Sequence, residues 1–137
     1  MTSTATIGQL VDQHGFEVLD HLDKSVEVPV LDGLQVQGDL IIVPAAGRNV
    51  SGKTVPAAGI PVISPVGSGH EHRLFAGVPG TAVFVPGMNG GQVIGLLECT
   101  APAYIAHPEH AYAGIAPGVY ELRRQREQAD EERLIAD

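Results

Sequence analysis

Residues 34–69 run LQVQGDLIIVPAAGRNVSGKTVPAAGIPVISPVGSG. Glycine and proline break this stretch at AAGRN, SGK, AAGIP and SPVGSG, at intervals too short for helices of ordinary length. The segment therefore belongs to strands and turns, with LQVQGDLIIVP as two strand pieces bent or bulged near Gly38. Upstream, SVEVPVL alternates so that Val26, Val28 and Val30 fall on one side of a short strand, and FEVLDHL alternates more weakly. The Ser/Thr/Ala-rich start makes residues 1–13 a flexible N-terminal segment, until Ile7 or Leu10 meets a core.

Downstream, HEHRLF, TAVFVP and GQVIGLLECT have strand character, and GMNGG between the last two has the residues of a hairpin turn. Residues 101–118, APAYIAHPEHAYAGIAPG, are punctuated by proline and are expected to form a long ordered loop with at most one helical turn. A final strand follows Gly118, and residues 127–137 form a short charged helix or tail. About eight short strands give an all-β fold, a small single-domain barrel or sandwich over residues 14–126. An edge strand of such a domain invites a protein partner or a second copy, so a homo-oligomer is expected.

Composition narrows the functional classes. The chain has 137 residues, with 17 Gly and 10 Pro, no Trp, three Phe and three Tyr, so its core rests on Val, Ile, Leu and Ala. Glycine follows no triplet period, which excludes collagen. Sixteen acidic against eight basic side chains give a formal charge of -8, which disfavours nucleic-acid binding through a broad cationic face. No stretch is long and apolar enough for a membrane helix and no secretory leader stands at the N-terminus, so a cytoplasmic protein without membrane contact is expected. Cys99 stands alone, excluding an intrachain disulfide or a multi-cysteine zinc module, and reads as a buried small apolar side chain.

Histidine is the chemically informative residue. His70 and His72 are two apart, which on a strand puts both on one face and Glu71 and Arg73 on the other. His107 and His110 are three apart in HPEH, close enough to meet if the chain turns there. Four imidazoles in two close pairs suit a divalent transition metal: Zn, Fe, Ni, Mn or Cu. Each ligand would then pass its second ring nitrogen to a carboxylate or carbonyl, for which Glu98 and Glu109 are near in sequence. Were the centre catalytic, Glu109 is the candidate general base.

The GSGHEH stretch, with PGTAVFVPG after it, resembles the first metal-binding motif of the cupin family. That resemblance implies a β-barrel and a metal site, in a family that includes dioxygenases, isomerases and noncatalytic binding proteins. It departs from the family pattern just after His72, where Arg73, Leu74, Phe75 and Ala76 stand in place of a glutamate.

Two further motifs offer anion chemistry. Arg123, Arg124 and Arg126 lie on the last strand, with Arg124 and Arg126 on one face, a small cluster suited to a phosphate or an acidic peptide or to a salt bridge between subunits. GRNVSGKT, residues 47–54, satisfies the eight-residue phosphate-loop pattern, but Val55 and Pro56 follow where that loop needs a helix, so a turn between strands is expected. Two classes of function therefore stand: a small histidine-rich metal-binding β-domain, catalytic or not, and a noncatalytic assembly or adaptor module without metal.

Overall fold

A computed structural model of the chain describes residues 4–19, 22–63, 71–87 and 93–124. Within them the chain forms one helix and a succession of short strands arranged in two sheets. The N-terminal segment differs from the flexible tail expected of residues 1–13, because residues 7–14 are helix α1 (Ile7–His14). Thr6 accepts a hydrogen bond from the Gln9 amide at 3.1 Å while Gln9 Oε1 accepts from the Thr6 amide at 2.8 Å, a reciprocal cap that satisfies two otherwise orphaned donors. Gly15, at φ 73°, closes the other end by donating to the Val11 carbonyl. The helix then buries Ile7, Leu10 and Val11 against a sheet.

That sheet has five strands in the order β1-β10-β9-β6-β5. Its members are β1 (Val30–Leu31), β5 (Ile60–Ile63), β6 (His72–Ala76), β9 (Ala103–His107) and β10 (Ala111–Ile115). The second sheet, ordered β2-β3-β11-β8-β7-β4, comprises β2 (Gln35–Gln37), β3 (Leu40–Pro44), β4 (Lys53–Thr54), β7 (Ala82–Pro86), β8 (Val93–Cys99) and β11 (Gly118–Arg124). The all-β expectation holds, as a two-layer arrangement whose sheets do not close into a barrel.

The main core lies between the sheets. Leu40, Ile42, Leu97, Tyr120 and Leu122 come from the six-stranded sheet and meet Leu74, Ile105 and Ile115 from the other. Each is fully or almost fully buried, worth roughly 1.5–3 kcal/mol per large side chain. Cys99 belongs to this core, and burial raises its thiol pKa, as suits an inert packing residue. A second cluster, including Phe75, Tyr104 and Tyr112, covers the outer face of the five-stranded sheet beneath α1. The Tyr112 hydroxyl donates to the Phe16 carbonyl at 2.9 Å and ties the end of α1 to that sheet.

Two local expectations change. Residues 101–118 contain strands β9 and β10 rather than a long loop, antiparallel and joined at HPEH, with His107 opposite Ala111. Their prolines sit where no ladder donor is needed: Pro102 just before β9, Pro108 in the turn and Pro117 between β10 and β11. Of the three valines in SVEVPVL only Val30 enters a strand; Val28 is buried whereas Val26 is exposed. The charged C-terminal helix or tail expected over 127–137 lies outside the described residues.

Candidate functional site

The register of the hairpin β2–β3 builds one wall of the site. Gln37 stands opposite Leu40, with Gly38 and Asp39 as the two-residue turn between them. Gly38 has φ 58°, a conformation glycine adopts without steric cost, as a tight hairpin turn requires at its first central position. Directly opposed residues share a face, and Leu40 is core, so Gln37 is drawn into the space between the sheets. It is 5% exposed while Val36 beside it is 54% exposed, an inversion of the usual polar-out alternation.

The opposite wall comes from β6 and β9. These strands pair Arg73 with Ala106 and Leu74 with Ile105, and just beyond that ladder lie His72 and His107. Both are buried, and their rings stand 4.5 Å apart between centroids. The HPEH turn folds His110 back so that its ring lies 4.6 Å from that of His107. The structure thus brings His72, His107 and His110 together; His70 lies outside the described residues. Ala111, which closes the turn, has φ 61°, a left-handed conformation that costs an alanine about 1–2 kcal/mol.

Hydrogen bonds assign a tautomer to His72 and to His107. Gln37 Nε2 donates to the Ile105 carbonyl at 2.9 Å and, more weakly, to the Ala111 carbonyl at 3.4 Å. Gln37 Oε1 is therefore the acceptor facing His72 Nδ1 at 3.0 Å, so His72 carries its proton on Nδ1 and keeps a lone pair on Nε2. His107 is the reverse. Its Nδ1 accepts from the amides of Glu109 at 3.1 Å and His110 at 3.2 Å, which places its proton on Nε2. An imidazole accepting at i+2 and i+3 plays the part that Asp or Asn plays in an Asx turn.

Burial, followed by the neighbouring His107 ring, holds His72 down to about 4. The nearby Asp39 carboxylate opposes this, while His110 and Arg124 reinforce it. His72 is thus a neutral imidazole at neutral pH, as a metal ligand or proton acceptor must be. The site opens beside His110 into a cleft of about 260 Å³ bordered by Gln35, Gln37, Gly38 and Tyr112.

The other candidate residues fall into place as follows. Glu109 is exposed in the HPEH turn, and its amide rather than its carboxylate makes the bond to His107 just described. Glu98 is opposite Val119, five residues along β11 from Arg124, or about 16 Å at ~3.3 Å per residue; its closeness to the histidines is one of sequence. Arg123 turns to Glu121 at 2.9 Å on the outer face, and Arg126 lies outside the described residues. His14 stacks on Phe75 at 4.3 Å, beneath α1 on the far side of the five-stranded sheet. His21 lies outside the described residues. Lys53 and Thr54 of the phosphate-loop pattern form β4, paired with Phe84 and Val83, so the strand-loop-helix cradle is absent there. Gln37 and Asp39 escaped the sequence reading, although carrying the alternation of β3 back through a two-residue turn places Gln37 opposite Leu40.

Among the described residues no three His, Cys, Asp or Glu side chains are arranged to hold one metal ion. His107 has committed Nδ1 to the backbone amides of the turn. His72 keeps a lone pair on Nε2, and the ring of His110 is exposed. Among the described residues, no helix is long and apolar enough to cross a membrane.

No curated protein and no solved structure matches the chain. One family profile does, over residues 36–125, a span that runs from the hairpin carrying Gln37 to just past Arg124 and holds all three clustered histidines. That span is well over half of the sequence, and the chain belongs to this family, described as a domain of unknown function (DUF8820).

Proposed function

We propose that the chain is a small metal-binding β-domain in which His72 Nε2 anchors a divalent transition metal and His110 is its described companion. The sequence adds His70, two residues before His72. The observation that supports this most is the bond from His72 Nδ1 to Gln37 Oε1. A buried acceptor on one ring nitrogen fixes the tautomer and aims the other lone pair, the arrangement that metal-ligating histidines use. Imidazole donors suit zinc, nickel, copper and iron better than magnesium or calcium. His107 acts as a positioning residue, holding the turn that presents His110.

The test is elemental analysis of untagged protein, followed by zinc, nickel and cobalt titration. Roughly one equivalent bound per chain is expected, lost in His72→Ala and His110→Ala. His107→Asn keeps binding, because an asparagine carbonyl accepts from the same two amides. A folded protein that takes up none of the three metals overturns the reading.

A second reading, self-assembly without metal, is favoured by Leu31, Leu34 and Val36, which are exposed on one segment. β1 and β2 at its two ends are edge strands of the two sheets, open to pairing with a second copy. Sedimentation of the metal-free protein separates the two: a dimer that Val36→Lys dissociates supports assembly, and a monomer removes it.

A further inference from the structure

The end of the sandwich that holds the histidines receives one more polar side chain from the six-stranded sheet. Arg124 stands opposite Leu40 across β11–β3, and Leu40 stands opposite Gln37 across β3–β2. Opposed residues share a face, so Gln37, Leu40 and Arg124 form one rung on the inner side of the sheet. The Nε of Arg124 is buried there with no hydrogen-bond partner among the described residues.

Its neighbours show what a satisfied guanidinium looks like in this fold. Arg73 binds the Glu71 carboxylate through Nε and the Ala58 and Gly59 carbonyls through Nη1. Arg123, on the opposite face of β11, binds Glu121. A guanidinium does not shed its proton in proteins, so a buried Nε–H without an acceptor is a donor awaiting one. The Arg124 charge is felt at His72, as is that of Asp39 in the hairpin turn, which limits the net positive potential.

We propose that Arg124 Nε–H forms an oxyanion subsite of the histidine centre, which takes the carboxylate or phosphate group of a small ligand. This deepens the metal-centre reading and rests on it for a ligand shared with the metal; the Arg124 donor itself does not require the metal. A planar guanidinium edge recognises the oxygens of either group.

The experiment uses full-length ¹⁵N-labelled protein, once chelator-treated and once with zinc added, at constant ionic strength. Arginine Nε–H resonances are followed during addition of inorganic phosphate and, separately, of malonate; loss of one resonance in Arg124→Lys assigns it. The expected result is a saturable shift of the Arg124 resonance with one of the two anions, which identifies the group, while Arg123 stays in place. Arg124→Gln then weakens that binding at least tenfold and Arg123→Gln leaves it unchanged. An Arg124 resonance that neither anion moves, in either sample, overturns the subsite. The wild-type titration is decisive even if Arg124→Gln does not fold. Zinc binding without an anion response removes the subsite alone, and an anion response in protein that binds no metal removes the metal reading alone.

Discussion

Replacing Gln37 by leucine deletes the side chain that joins the two sheets at the site. The wild-type amide makes bonds at 3.0 and 2.9 Å and a weaker one at 3.4 Å, all in a buried setting. Leucine fills nearly the same space but leaves His72 Nδ1–H facing an apolar group. An unmade buried donor costs about 1–3 kcal/mol, and a lost bond to a carbonyl about 1 kcal/mol net. Gain of apolar burial offsets part of this sum of about 2–4 kcal/mol, so Gln37→Leu should destabilise the fold by about 1–3 kcal/mol, a sizeable share of a small domain's roughly 5–15 kcal/mol. His72→Phe alone strands Gln37 Oε1 and should cost about 1–3 kcal/mol. The double variant removes both partners and should recover about 1–2 kcal/mol relative to the sum of the singles. Urea denaturation of the four metal-free proteins measures the cycle. If Gln37→Leu stays within about 0.5 kcal/mol of wild type, or if the two costs simply add, the inter-sheet hydrogen bond does not hold the site as argued.

Other expectations follow from the same geometry. His72 is held at about 4 in the fold against 6.5 ordinarily, so between these values the unfolded chain binds a proton that the native chain refuses. Stability should therefore fall on acidification from pH 6.5 toward 4, by on the order of 3 kcal/mol from this group, with His14, also lowered by burial, acting in the same direction. Urea midpoints at pH 7, 5.5 and 4.5 check this, and His72→Phe should flatten the profile. Gly38→Ala puts a Cβ about 3.2 Å from His110 Nε2 at a φ of 58°, so a loss of about 1–2 kcal/mol is expected along with a displaced His110 ring, read by denaturation and by weaker zinc binding. Thr6→Ala removes the cap of α1 and should cost about 1 kcal/mol, with amide exchange accelerated over residues 7–14 and unchanged in β11.

The sequence disclosed the strand-rich character because glycine and proline recur too often between residues 34 and 69 for helices. It did not disclose α1, whose eight residues depend on a reciprocal Thr6–Gln9 cap and on burial against a sheet formed by distant strands. Residues 101–118 were misleading for a related reason. Their prolines look like loop punctuation, yet Pro102, Pro108 and Pro117 all fall between strands, and the ladder itself runs through Ala, Tyr and Ile. The meeting of His72 with His107 rests on the pairing of β6 with β9, which are separated by another hairpin; spacing in HEH and HPEH suggested pairs and left their union to the topology. Gln37 shows the limit of alternation as a guide. Val36 looks like the inward residue of QVQ, but the register fixed by the Gly38–Asp39 turn places the glutamine inside.

The most direct measurement is the long-range ¹H–¹⁵N correlation of the histidine rings, recorded at neutral pH with and without zinc. His72 should appear as the Nδ1–H tautomer and His107 as the Nε2–H tautomer, and zinc should move the unprotonated Nε2 of His72 while leaving Nδ1 of His107 in its hydrogen-bonded position. A His72 ring protonated on Nε2, or one that zinc leaves untouched, would contradict a metal centre anchored by Gln37 and His72.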